Sequence, residues 1–275
     1  MDLATIVGLL LAVVACFVSI SVLEGTPLTP FFPWSEAGAP AYALVVVGTI
    51  AATTVTAPLS GMIGLPKAIL KAMMPGKHET PSDLAALFVR LSEKARREGL
   101  LSLEEEEGTL HNDFMKKGIM LVVDGQDPEL IRQVLEIEIK QMEQRHEVAQ
   151  AILTQAGGFA PTFGIIGTVS SLIGVLAKLD PSAGQEALAT SISGAFVATF
   201  LGLASANLVY LPLSEKLKEN TKHEVAMRNM MIEGILSVQA GENPRVIFDK
   251  LEGFLSPGER RAARARVEGA TQAAA

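Results

Sequence analysis

The 275-residue chain sets 23 Lys plus Arg against 30 Asp plus Glu, for a net charge of −7, and 49% of its residues are apolar. An acidic balance with no long basic tract argues against nucleic acid as a partner, and a lone cysteine, Cys16, excludes an internal disulfide. His78, His111, His146 and His223 are scattered, with no Cys or His at zinc-ligand spacing, so no metal site is predicted.

The apolar residues are concentrated in uncharged stretches at 3–23, 37–66, 148–177 and 187–214. Each is longer than the roughly 20 residues that cross a bilayer core at about 1.5 Å per residue. The first begins after Met1 and Asp2 and lacks a basic leader region, which predicts a retained span rather than a cleaved signal. The connection at 24–36 contains Pro27, Pro30, Pro33 and Trp34, suited to a short interfacial turn with an aromatic anchor. Residues 67–147 hold 12 of the 23 basic residues and 215–275 hold 10, so the positive-inside bias places both segments in the cytoplasm.

Within 67–147, Thr80, Pro81 and Asp83 read as a cap, a first-turn proline and an acidic first turn. Leu84, Leu87, Phe88, Leu91 and Ala95 then recur at helical spacing up to Gly99. Asp127 and Pro128 open another helix, with Ile131, Val134, Leu135 and Met142 on one face and no breaker before the third apolar stretch. Continuous from 128 to 177, it would be about 75 Å long and protrude from the membrane as a stalk. After the fourth stretch, 213–240 reads as a helix ending near Gly241, with Asn243 and Pro244 opening a short last helix and a disordered tail rich in Ala, Arg and Gly.

The expected fold is therefore an all-α integral membrane protein with four transmembrane helices and a large helical cytoplasmic loop between the second and third. Residues 1–66 carry spans at about 3–23 and 40–62, and 67–147 form the cytoplasmic domain. Residues 148–214 carry spans at about 155–177 and 188–211, and 215–275 form cytoplasmic C-terminal helices and the tail. Four spans return both termini to the cytoplasm.

No stretch contains Asp, Glu, Lys, Arg or His, the groups on which intramembrane ion carriers rely. Instead, Pro161, Gly164, Thr168 and Ser171 share a face of the third, and Gly194, Ala198, Gly202 and Ala206 make a small-residue stripe of period four in the fourth. Close helix packing is the plainer reading of this spacing. A hydroxyl-lined ion path, with its titrating acid supplied by another subunit, is the other. Pro58, Pro161 and Pro212 would each free a backbone carbonyl inside or at the end of a span, as a passive kink or a hinge. No nucleophile and base, metal cluster or phosphate loop marks an enzyme.

Several runs together resemble the MotA/PomA family of flagellar stator subunits: the opening MDLAT, GLLSLEE at 99–105, NDFMKKG at 112–118 and LVVDG at 121–125. APTFGIIGT at 160–168, ATFLG at 198–202 and GENPRVI at 241–247 complete the series. The resemblance implies a ring of five copies around two copies of a MotB/PomB-like subunit anchored to peptidoglycan in the bacterial inner membrane. Ion flow through the partner's aspartate would turn the ring against the rotor protein FliG. It puts Pro161 and Pro212 at the coupling prolines and Thr168 and Thr199 at pore-facing threonines. It puts Arg96, Arg97, Glu104, Glu105, Glu107 and Arg245 at the rotor-facing charges, with a solvated helix face as the plainer reading of those charges.

The resemblance implies no cofactor beyond a coupling ion, Na+ or H+. Thr168 with Thr199 tilts this toward sodium, since hydroxyl oxygens can replace part of its hydration shell, although position 198 carries Ala where sodium-type sequences carry Thr. An ExbB/TolQ-like envelope energy transducer, or a passive scaffold packed against lipid, is the competing reading.

Overall fold

A computed structural model describes residues 3–18, 21, 28–73, 80–110, 112–177, 185–261 and 263–264. Nine α-helices organise the described residues, and none of those residues is in a strand. They are α1 (Leu3–Val18), α2 (Gly38–Thr56), α3 (Leu59–Met73), α4 (Pro81–Glu98), α5 (Asp113–Val123), α6 (Pro128–Ala177), α7 (Gln185–Ala204), α8 (Leu211–Gln239) and α9 (Pro244–Glu252). The chain divides into two compact units, Met1–Gly76 with Arg145–Asn220, and Lys77–Gln144 with Thr221–Ala275.

The first unit is built around apolar helices. Gly38–Thr56, Pro128–Ala177 and Ile192–Gln239 are each long and apolar enough to cross a membrane. The described part of α1 has 16 residues, and 19–20 and 22–27 in the first predicted span and the turn after it lie outside the described residues. The second predicted connection, 178–186, lies mostly outside them, as does the tail from 265. At the first connection Thr29–Phe31 make a 3-10 turn, and Trp34 stacks on Phe32 with ring centroids 4.7 Å apart.

Large apolar side chains point outward from this unit. Val55, Ile63, Ile173, Leu176 and Phe196 are all mostly exposed. A surface of that kind requires lipid or other subunits as its solvent.

The second span is shorter than its apolar block. A helix over about 40–62 is expected, but α2 ends at Thr56, and Ala57 takes an extended conformation at φ −112°, ψ 149°. The cause is Pro58, whose ring disfavours helical geometry in the residue before it. The chain restarts as α3 at Leu59.

The second unit has a conventional apolar core. Leu84, Phe88 and Leu91 of α4, Leu103, Met115 and Ile119, Ile131 and Leu135 of α6, Met230 and Ile235 of α8, and Ile247 and Leu251 of α9 are almost fully buried. α4 starts where its sequence dictates: the Thr80 hydroxyl accepts from the Asp83 amide and the Asp83 carboxylate accepts from the Thr80 amide, both at 3.2 Å. It stops at Gly99, whose φ of +86° suits glycine and few other residues. α9 packs on α4, and the Ser92 hydroxyl donates to the Glu242 carbonyl at 3.2 Å, fixing the loop that precedes α9. α6 is one continuous helix from Pro128 to Ala177, as the absence of a breaker suggests, and contributes residues to both units.

Candidate functional site

Two groups of residues stand out, one in each unit. The first lies where α6 and α7 meet. A Cβ placed on Gly202 would sit 2.5 Å from the Ala160 carbonyl oxygen and 3.2 Å from the Cα atoms of Gly164 and Pro161. A Cβ on Gly164 would sit 2.8 Å from the Ala198 carbonyl oxygen. Only glycine permits backbones this close, so the small-residue stripe is used for packing along this line.

One turn beyond that crossing, the Thr168 hydroxyl lies 3.1 Å from the Gly164 carbonyl and 2.9 Å from the Ala195 carbonyl, and it hydrogen-bonds to the Thr199 hydroxyl. A threonine hydroxyl has one proton to donate. When Thr168 donates to a carbonyl, Thr199 donates to Thr168, so four oxygens from two helices converge on one proton network. Both threonines are half-buried.

Pro161 lies in α6, and Pro212 lies in the first turn of α8, which follows α7 through a π turn. Pro161 lacks the amide that would bond the Gly157 carbonyl, yet α6 stays helical through it. A Cβ on Gly157 would lie 2.6 Å from Leu211, the residue immediately before Pro212. Pro212 also lacks an amide, and the chain adapts upstream with a π turn over Ser205–Tyr210, in which the Leu211 amide bonds the Ala206 carbonyl. The two prolines are thereby linked through Gly157 and Leu211.

A second, separate hydroxyl cluster lies among residues not singled out from sequence. Thr154, two heptads before Thr168 on α6, and Ser214 have hydroxyls 2.9 Å apart, and each is 3.0 Å from the Gln150 carbonyl. The heptad spacing from Thr168 is the signal that could have found Thr154.

The second group is a charged surface on α4 and the turn after it. Leu100–Glu106 form a 3-10 helix. Arg96, Arg97, Glu104, Glu105, Glu107 and Arg245 are all exposed. Arg97 pairs loosely with Glu93 at 3.8 Å, and Glu105 meets Lys94 at 3.1 Å. Glu106 behaves differently, lying between Lys94 at 3.0 Å and Arg90 at 3.1 Å. The α4 cations that reach the glutamates of the turn are therefore Arg90 and Lys94, and Glu106 is the inward member of the run.

The Lys94 hydrogen bond holds the Glu106 carboxyl below its usual value of 4.5, with Thr109 and Arg90 adding to the effect, while Glu106 and then Glu105 push Lys94 above 10.5. A depressed carboxylate contributes stability that is present above the ordinary value and lost as pH falls through the lowered one. A raised lysine contributes stability that is present below its ordinary value and lost only as pH rises through the raised one. The pair is therefore intact across neutral pH. Glu106→Gln is expected to destabilise the second unit by about 1 kcal/mol at pH 7. The variant should also lose part of the stability decline that the parent shows below about pH 4.5. Thermal melts at pH 7 and pH 4 check this; equal melting temperatures at both pH values for parent and variant would remove the pair from the stability account.

No cluster of three or more His, Cys, Asp or Glu able to hold a metal occurs among the described residues.

Comparison with known proteins gives these features a context. Residues 106–230 match the model of the MotA/TolQ/ExbB proton channel family. The motility protein A of Bacillus subtilis is 37% identical over 260 residues, covering 94% of this chain and 93% of the relative. The chemotaxis protein PomA of Vibrio alginolyticus is 32% identical over 94% of this chain and 98% of its own length. The structure superposes on that of the flagellar MotAB stator complex from Bacillus subtilis with a TM-score of 0.85 at 36% identity, covering 94% of this chain and 97% of that one. The C. jejuni MotAB structure gives a TM-score of 0.85 at 30% identity over the same shares. With similarity of this extent along nearly its whole length, the chain belongs to the MotA/TolQ/ExbB proton channel family, among its motility protein A members.

Proposed function

We propose that this chain is the ring-forming subunit of a flagellar stator, which works with a MotB-like partner to convert ion flow into torque. The observation that carries the reading is the likeness over 94% of the chain to two MotAB structures. The partner supplies what this chain lacks, because its apolar stretches contain no Asp, Glu, Lys, Arg or His.

In this reading the chain spans the inner membrane with both termini in the cytoplasm, and five copies surround two partner helices. Thr168 and Thr199 line the ion path. Support comes from the convergence of their hydroxyls with the Ala195 and Gly164 carbonyls, since hard oxygen donors suit an alkali cation or a proton relay. Pro161 and Pro212 couple ion passage to helix movement, which the contact between Gly157 and Leu211 supports. Sodium is the favoured coupling ion, and no other cofactor is needed. The chain itself catalyses no covalent chemistry.

Arg96, Arg97, Glu104, Glu105, Glu107 and Arg245 face the rotor protein FliG. Exposed pairs of this kind are worth roughly 0–1 kcal/mol each, enough to guide a contact and weak enough to let it release. The test is a strain lacking this chain and any second stator set, examined for filaments and swimming. Filaments that are present but paralysed, with swimming restored by the parent chain, are expected. Normal swimming would overturn the reading. Restoring instead with both Arg96→Glu and Arg97→Glu should leave swimming at a small fraction of the parent and be partly rescued by reversed charges on the rotor.

A further inference from the structure

α3 starts directly after the break that Pro58 makes, and its residues divide into three sectors at about 100° per residue. Gly61, Leu65, Ala68 and Ile69 form a half-buried side. Gly61 sets that side against α6, since a Cβ there would sit 2.7 Å from Val148 and 3.0 Å from Ile152. Leu59, Ile63 and Leu70 fall within about 40° of one another on the outer side and are 68%, 74% and 58% exposed. The sector beside them holds Ser60, Lys67 and Lys71, all exposed.

The contact with α6 sets the depth of this helix. Val148 is the first residue of the uncharged stretch 148–177, and Arg145, His146 and Glu147 immediately precede it. α3 therefore starts at the level where α6 passes from apolar to charged sequence, the boundary between hydrocarbon and headgroups. The second span needs nothing from α3, because the 19 residues Gly38–Thr56 make about 28 Å of helix and are long enough to cross alone. Val55, at the end of that span, is exposed as well, so the apolar outer surface runs on across the break into Leu59 and Ile63. From 37 to 78 the sequence contains no Asp or Glu, which leaves Lys67 and Lys71 without a local counter-charge.

We propose that α3 lies in the interface of the cytoplasmic leaflet, seating Leu59, Ile63 and Leu70 among acyl chains and holding anionic phospholipid headgroups with Lys67 and Lys71. The inference rests on the membrane placement in the stator reading above. An apolar line with cations beside it is the pattern of a helix lying in a membrane surface. The lysine stems run along the apolar line while their ammonium groups reach the phosphates. Charge selects the occupant: an anionic leaflet attracts this sector, whereas a second copy presenting the same face would set Lys67 and Lys71 against like charges.

The experiment uses the full complex with its MotB-like partner in nanodiscs of phosphatidylcholine and phosphatidylglycerol. With Cys16→Ser as background, a nitroxide attached at Ile63→Cys is expected to be open to oxygen and shielded from a water-soluble nickel chelate. A label shielded from both would put another copy over this face and overturn the proposal, and one open to nickel would put the face in water and overturn it too. Native mass spectrometry then reads the retained lipid. The parent is expected to keep phosphatidylglycerol in preference to phosphatidylcholine, and Lys67→Gln with Lys71→Gln to lower that preference roughly fivefold for each lysine lost, with complex size unchanged. Lys67→Arg with Lys71→Arg keeps both charges and should keep the preference. An unchanged preference in the glutamine variant would overturn the headgroup contact. Neither readout depends on torque, so these failures leave the stator reading intact, while normal swimming in the deletion strain would overturn that reading whatever the label reports.

Discussion

Replacing Gly202 with valine is expected to abolish swimming and to reduce the amount of assembled complex several-fold. The Cβ of any residue at this position would meet the Ala160 carbonyl oxygen at 2.5 Å and the Cα atoms of Gly164 and Pro161 at 3.2 Å. All three obstacles are backbone, so no side chain can rotate away, and the helices themselves have to separate. Overpacking in a core costs about 1–3 kcal/mol where side chains give way, and backbone against backbone belongs at or above the top of that range. The consequence spreads by geometry. Thr168 is one turn from Gly164 and Thr199 one turn from Gly202, so separated helices also lose the hydroxyl contact between them. Gly202→Ala should show the same defect in weaker form. Gly64→Ala is the control, because a Cβ there meets nothing within 4 Å and alanine is the better helix former. Size-exclusion chromatography of the complex and swimming assays read the outcome; a Gly202→Val complex of normal yield and speed would show that close approach of α6 and α7 is dispensable.

The residues differ in how far they announced this arrangement. The start and end of α4 were legible, because Thr80, Pro81, Asp83 and Gly99 each act within one turn of their own position. The run of α6 from Pro128 into the third apolar stretch was legible as an absence of breakers, whereas its helical passage through Pro161 was not. The end of α2 at Thr56 was not, since Ala57 and Pro58 lie inside a continuous apolar block that hydropathy alone extends to about 62. Nor was the π turn at Ser205–Tyr210, because Pro212 acts on hydrogen bonds upstream of itself and no residue within the turn marks it. Among the glutamates at 104–107, a helical or disordered reading leaves all four equivalent. A period of three separates them, sending Glu106 inward to Lys94 and Glu104 and Glu107 outward beside Leu101. The pairing of Thr168 with Thr199 was likewise invisible to spacing, since it depends on which faces of two helices meet. It was family resemblance that named those two residues, and the close glycine crossing is what makes their contact physically possible.

Thr168→Val is expected to leave the fold in place while reducing swimming to a small fraction of the parent speed at every sodium concentration. Valine keeps the branched shape of threonine and puts a methyl group in place of the hydroxyl. The Gly164 and Ala195 carbonyls each retain the helical bond from the amide four residues on, and the Thr199 hydroxyl can still donate back to Ala195. The stability cost is therefore on the order of 1 kcal/mol, the net value of a single hydrogen bond. The ion path, by contrast, loses one of two hydroxyl oxygens at a point where no charged side chain compensates. Thr168→Ser restores the oxygen without the methyl group and should recover most of the speed. Sodium titration of swimming separates the two roles open to this hydroxyl. If it coordinates sodium directly, Thr168→Ser shifts the half-maximal sodium concentration while Thr168→Val shows no response. If protons are the coupling ion, speed is independent of sodium in the parent and follows the pH difference instead. Normal swimming by Thr168→Val across that titration would place the hydroxyl outside the path and leave its bond to Thr199 a matter of helix packing alone.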